Sequence, residues 1–193
     1  MNNIVYRKAQ KSDSIREIAK LLYLTDPYIY PAASPSFEGI WCEVIKGCLE
    51  DEQDFYYQNN LYVAECEGRI VGVIAAVQNG KAYRFAEFAP KSAVAQEVWE
   101  GYYTPLAEEC LLLSGQTVVN FCTDPAYRAK GIGKGLFAYY LSLFQGETIY
   151  LDVLADNNAA IGLYQSFGFQ IVKGYKGFGG GGVGVDCYHM IKP

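Results

Sequence analysis

Apolar positions recur along this chain with two periods, and the switches between them mark out its elements. Val5 to Ala9 reads as a short first strand. Ser14 and Glu17 form a capping box, after which Ile15, Ile18, Ala19 and Leu22 recur at helical spacing, with a stop near Asp26-Pro27. A second helix fits Ser36 to Leu49, where Phe37, Ile40, Trp41, Val44, Ile45 and Cys48 share one face. Between the two, TDPYIYPAASP (residues 25–35) is a loop with three prolines and two tyrosines.

The period then changes. LYVAEC (61–66) and IVGVIAAV (70–77) flank Glu67-Gly68, the pattern of a tight antiparallel hairpin. Residues 84–113 read as mostly helical, with breaks at Gly101 and Pro105, and 117–123 is the next strand. A helix over 126–145 follows, with Ile132, Leu136, Tyr140 and Leu143 on one side, and then a strand over 147–154. Asn157 or Asn158 caps a short helix carrying Ala160, Leu163, Tyr164 and Phe167. Two final strands, 170–175 and 185–191, are joined by GFGGGGVG (177–184). The pattern holds no repeat and no dividing linker, so we expect a single domain over 1–193 of mixed α/β (α+β) class.

The 193 residues are 51% hydrophobic and 15% aromatic, enough for one sizeable core. A net charge of −5 argues against general nucleic-acid binding, which needs a basic surface, and would draw in a cationic partner. Six cysteines (42, 48, 66, 110, 122, 187) form no C-x-x-C pair, and the one histidine, His189, cannot complete a zinc set with them. We read them as reduced core cysteines and expect no metal. MNNIVYRKAQ has no apolar leader, and no apolar run approaches the roughly 20 residues of a membrane span. These features lead us to expect a cytoplasmic protein with no membrane association.

The chemistry concentrates in YRAKGIGKG, residues 127–135, where a strand gives way to a helix. Amides in the first helical turn have no intrahelical partner, and the helix dipole adds partial positive charge there. Gly131, Gly133 and Gly135 open the backbone to a ligand, and Arg128, Lys130 and Lys134 add full charges. A diphosphate suits this arrangement. The P-loop pattern is absent. The dinucleotide fingerprint fails because Leu136 stands where its third glycine belongs, although Asp152 sits about where that motif wants an acid. RAKGIG (128–133) instead matches R-x-x-G-x-G and resembles the pyrophosphate loop of the GNAT superfamily of N-acetyltransferases. LDVLADNNAAIGLYQSFGF (151–169) resembles that superfamily's second signature, with Asn157, Ala160, Leu163-Tyr164 and Gly168-Phe169 in register. The resemblance is specific over roughly 117–170, looser over the early strand–helix–helix–hairpin order, and weak over 80–115.

The resemblance implies a central twisted mixed sheet with helices on both faces. Strands 117–123 and 147–154 would splay to admit the pantetheine arm of acetyl-CoA. The backbone of Phe121, Cys122 and Thr123 would orient that arm and its thioester. Amides of Ala129, Lys130, Gly131, Ile132, Gly133, Lys134 and Gly135, with Arg128 beside them, would hold the pyrophosphate. Asn157 would bond the arm while capping its helix, and Tyr164 would be the general acid. A phenol with a pKa near 10 stays protonated at neutral pH beside a thiol leaving group with a pKa of about 8.5. The base is open among Glu65, Glu87 and Glu109, while strand 117–123 itself offers Asn120, Cys122 and Thr123. Cys122 reads as a core residue, and His189 as a strand residue without an evident triad partner. The acceptor pocket would lie near Tyr28, Tyr30, Trp41 and the 177–184 loop. The activity implied is transfer of an acetyl group from acetyl-CoA to a primary amine in a ternary complex. The alternatives are a non-catalytic acyl-CoA-binding module of the same fold that acts through a protein partner, and a dinucleotide-binding oxidoreductase. A homodimer is compatible with either GNAT reading.

Overall fold

The period-2 segments assemble into one seven-stranded sheet. The computed structural model describes residues 3–25, 27–28, 40–84, 99–178 and 184–193. Strands β1 (Ile4–Lys8), β2 (Leu61–Cys66), β3 (Arg69–Gln78), β4 (Gln116–Thr123), β5 (Ile149–Leu154), β6 (Gln170–Phe178) and β7 (Gly184–Lys192) lie in the order β1-β2-β3-β4-β5-β7-β6. Only β4 and β5 pair in parallel among them; the other neighbours are antiparallel. The β2–β3 hairpin closes where expected, through Glu67 (φ 53°) and Gly68 (φ 77°), the backbone twist a two-residue hairpin favours.

Helices cover both faces. The alternation along β2 and β3 divides the apolar residues between two cores. Val63, Val73, Ala75 and Val77 face one core with Ile18, Ala19, Leu21 and Leu22 of α1 (Ile15–Tyr23), Val44, Ile45 and Cys48 of α2 (Ile40–Glu50) and Cys110 of α3 (Thr104–Leu112). Tyr62, Ala64, Ile74 and Ala76 face the other with Leu136, Phe137 and Tyr140 of α4 (Ile132–Leu143) and Ile161 and Tyr164 of α5 (Asn158–Ser166). The six cysteines form no disulfide, and all but Cys42 are buried. No helix among the described residues is long and apolar enough to cross a membrane.

Three local expectations change. Only half of the capping box forms: Ser14 Oγ accepts the Glu17 N–H at 3.3 Å, but the Glu17 carboxylate accepts the Ile70 N–H at 2.9 Å, clipping α1 to β3. Of the helical stretch expected over 84–113, residues 85–98 lie outside the described residues. The rest is a wide turn at Trp99–Tyr103 leading into α3, which tolerates Pro105 in its first turn, where no amide partner is needed. The helix expected to begin at Ala126 begins at Ile132. A 3₁₀ turn, Pro125–Tyr127, precedes it, and the left-handed conformations of Ala129 (φ 58°) and Gly131 (φ 77°) break the path between them.

Candidate active site

The site begins where β4 and β5 part. Their pairing runs through Gln116↔Ile149, Thr117↔Tyr150 and Val118↔Leu151 and then stops. On its other side β4 bulges at the same level: Ala76 pairs with Val118 and Ala75 with Asn120, leaving Val119 extra. A bulge bends its strand, so β4 leaves β5 while still following β3. The result is a cleft of about 940 Å³ lined by Phe121, Cys122 and Thr123 on one side and Asp152, Val153 and Leu154 on the other.

The basic turn forms one end of this cleft. Arg128 N–H bonds Pro125 O at 3.3 Å and Gly135 N–H bonds Gly131 O at 2.9 Å. Between them, the amides of Ala129 to Lys134 find no acceptor among the described residues. This is the donor array an anion needs. A Cβ on Gly133 would lie 2.9 Å from Thr123 Oγ1 and 3.3 Å from the Phe121 ring, so any larger residue would displace the side chains that β4 presents to the helix start. Arg128, Ala129, Gly131, Ile132, Gly133 and Lys134 line the cleft. Two members of the expected set do not act as foreseen. Gly135 has its amide engaged in the helix, and a Cβ there would overlap the Tyr6 hydroxyl, so its role is packing α4 against β1. The Lys130 ammonium folds back onto Ala126 O at 3.1 Å and over the Tyr127 ring at 5.0 Å, and Lys130 is not among the residues that line the cleft. The Arg128 side chain also reaches back, with Nε 3.3 Å from Thr123 O. The remaining donors and charges fit a diphosphate.

Asn157 caps α5, its Oδ1 accepting the Ala160 N–H at 3.2 Å, and also lines the cleft. Its Nδ2 has no partner among the described residues. Tyr164, 6% exposed, packs its ring against Phe137 (5.2 Å), Phe169 (5.9 Å) and Phe121 (6.4 Å). Burial pushes its phenol far above the ordinary value. Its hydroxyl has no hydrogen-bond partner among the described residues, and the residue lines the cleft.

The opposite face is polar. Asn120 Nδ2 donates to Thr25 Oγ1 at 2.8 Å, Tyr56 donates to Asn120 Oδ1 at 2.6 Å, and the hydroxyls of Tyr56 and Tyr103 lie 3.0 Å apart. Asn120 thus pins the β4 bulge to the end of α1 and is committed to structure. Burial pushes the Cys122 thiol up to about 11, so it stays protonated at neutral pH, in keeping with a core residue. Of the candidate bases, Glu65 is paired with Arg7 at 2.7 Å, away from the cleft. Glu87 lies outside the described residues, and Glu109 of α3 lines the cleft. Tyr30 and residues 179–183 also lie outside the described residues, as does the Trp41 side chain; Tyr28 is exposed.

His189 lies in a strand, as expected, but one part of its sequence reading changes. His189 has a partner: its Nδ1 lies 2.7 Å from Asp152 Oδ1, and both residues line the cleft. They face each other across the β5–β7 ladder. The hydrogen bond to Asp152 raises the imidazole pKa above its ordinary value, against the opposing effect of burial. Burial and a hydrogen bond with Asp152 also push the Tyr175 phenol well up. The pairing of β7 with β5 on one side and with β6 on the other brings these three residues together.

Residues 27–169, well over half of the chain, match the family described as "Acetyltransferase (GNAT) family". The chain belongs to that family. Among known proteins, N-alpha-acetyltransferase RimI of Mycobacterium tuberculosis is 49% identical over 49 residues, 25% of this chain and 31% of that one. The [ribosomal protein bS18]-alanine N-acetyltransferase of Escherichia coli K12 is 36% identical over 63 residues, 31% of this chain and 43% of that one. Spermine/spermidine N(1)-acetyltransferase of Bacillus subtilis is 41% identical over 54 residues, 26% and 36% of the two chains. The chain thus spans less than half the length of each of these relatives. The GNAT fold extends over nearly the whole chain. An N-acetyltransferase from Staphylococcus aureus Mu50 superposes with a TM-score of 0.68 at 18% identity, over 97% of this chain and 100% of that one. The E. coli S18-alanine enzyme superposes with a TM-score of 0.57 at 17% identity. The mixed sheet with helices on both faces is the fold expected from the sequence.

Proposed function

We propose that this GNAT protein, acting as one domain over residues 1–193, transfers an acetyl group from acetyl-CoA to a primary amine by direct attack in a ternary complex. The observation that carries this reading is the joining, in one cleft, of the β4–β5 splay, the unpaired amides of 129–134 and the open hydroxyl of Tyr164. The relatives named above support an amine acceptor, since each is an N-acetyltransferase.

Acetyl-CoA, when bound, supplies the activated acyl thioester. The amides of Ala129 to Lys134, with Arg128 and Lys134, hold its diphosphate. Asn157 offers Nδ2, and the edge of Phe121, Cys122 and Thr123 that β5 leaves uncovered offers backbone groups to its arm. An amide there, fixed before the reaction, stabilises negative charge developing on the thioester oxygen. Tyr164 donates from its hydroxyl toward the sulfur as the C–S bond breaks. Because attack needs a neutral amine, the rate climbs with pH until the acceptor or the protein's base is deprotonated.

The test couples calorimetry with acetyl-CoA to thiol release over a panel of peptides with free N-termini, lysine peptides, polyamines and hydroxyl compounds. We expect saturable acetyl-CoA binding, and thiol release matched mole for mole by acetylated amine. Tight binding with no release over the whole panel would favour the regulatory module. A hydroxyl compound outperforming every amine would overturn the acceptor class.

A further inference from the structure

The unassigned proton acceptor of this reaction has a candidate that the fold supplies. We infer that His189, oriented by Asp152, is the general base that takes the proton from the incoming ammonium. This rests on the acetyl-transfer reading above.

Geometry carries the inference. Leu151 and Val153 of β5 belong to the core that holds Tyr164. Asp152, between them, therefore projects from the opposite face. It sits one residue past the last β4–β5 pair, at the apex of the splay. His189 stands directly across the β5–β7 ladder from it. The cleft thus has an acid hydroxyl on one face of the sheet and an imidazole–carboxylate pair on the other, with the splay between them.

The hydrogen bond selects the tautomer. Asp152 is an acceptor, so Nδ1 carries the proton and Nε2 holds the lone pair. Nε2 has no partner among the described residues. With its side chain 16% exposed, the imidazole can still exchange its proton with solvent. Glu109 of α3, Tyr102 of the preceding turn, Tyr150 and Asp152 of β5, and Lys173 and Tyr175 of β6 are the titratable groups around it. The carboxylates favour the imidazolium and Lys173 opposes it, with a net upward shift. An imidazole raised above its ordinary value titrates closer to neutral pH than an ordinary carboxylate does.

The proton balance closes. His189 Nε2 removes one proton from R–NH₃⁺ and later releases it to solvent. The neutral nitrogen forms the C–N bond and the C–S bond breaks. The sulfur takes its proton from Tyr164, and the second proton lost by nitrogen restores the phenol. The net products are the amide, CoA thiol and one proton.

His189 is the only histidine in the chain, so in untagged protein its imidazole C–H resonances identify themselves by NMR. We expect them to titrate above 6.5 in the wild type and lower in Asp152→Asn, which removes the charge that favours the imidazolium. The acid limb of kcat against pH should match the NMR value in each protein, and so move to lower pH in Asp152→Asn. In His189→Gln the limb that follows the imidazole should be lost, leaving only the titration of the acceptor amine itself, and kcat should fall by about 10²–10⁴-fold, with calorimetric acetyl-CoA affinity unchanged. A His189→Gln kcat within about threefold of wild type overturns the assignment. So does a limb that stays fixed while the imidazole titration moves. If the glutamine variant does not fold, the Asp152→Asn comparison alone decides. Failure of the wild type to acetylate any amine sinks the acetyl-transfer reading and this assignment with it; an active wild type with an indifferent His189 sinks only this one.

Discussion

Replacing Gly133 by Asp should weaken acetyl-CoA binding about 100-fold or more in a protein that still folds. Gly133 contributes one of the unpaired amides at the start of α4 and lies against the last residues of β4. A side chain there approaches Thr123 Oγ1 at 2.9 Å and the Phe121 ring at 3.3 Å, so it shifts residues that line the cleft. The carboxylate adds a second effect. One charge about 5 Å from another, at an effective dielectric of about 20, is worth roughly 3 kcal/mol, or about two powers of ten in affinity. The same carboxylate suits a helix N-terminus, which offsets part of the steric cost to stability. Gly133→Ala isolates the steric part and should weaken binding less. Lys130→Ala should change affinity by less than about threefold, because that ammonium is turned onto Ala126 O and Tyr127. Calorimetry on the three variants separates the cases. An unchanged affinity in folded Gly133→Asp would remove the diphosphate from this turn.

What the sequence reveals divides along chain distance. The anion turn and the Asn157 helix are contiguous segments, so the residue types and their spacing were visible without the fold. The start of α4 was not. Ile132, Leu136 and Tyr140 set a correct period, but a period carries no start signal. The boundary depends on a left-handed Ala129, an uncommon conformation for a residue with a Cβ. The Val119 bulge, which opens the cleft, has no local mark in VVNFCT. Glu17 reads as the second half of a capping box because its partner in the fold, Ile70, is 53 residues away. His189 and Asp152 are separated by 37 residues, and chain order alone would set β6, not β7, beside β5. Lys130 marks a further limit: spacing put it in the anion set, but spacing says nothing of where a long flexible side chain points.

Tyr164→Phe should lower kcat by about 10²–10⁴-fold, equivalent to roughly 3–5 kcal/mol of barrier, while leaving acetyl-CoA affinity nearly unchanged. The substitution is a clean one here. The ring keeps its contacts with Phe121, Phe137 and Phe169. The hydroxyl gives up no hydrogen bond to the described residues, so the variant should match or slightly exceed wild-type stability. Burial holds the phenol far above its ordinary value, so it is protonated across the whole neutral range. It should therefore add no alkaline limb to kcat below about pH 10. A phenol so reluctant to ionise does little for the ground state, where the sulfur carries no charge. It donates as the C–S bond lengthens and charge reaches the sulfur. That is why the loss should appear in kcat and not in binding. The measurement is kcat with a good amine, with chemistry established as rate-limiting, beside calorimetric affinity for acetyl-CoA. A kcat within about threefold of wild type is too small a loss for a general acid. It would return Tyr164 to the aromatic core and leave water to protonate the departing thiolate.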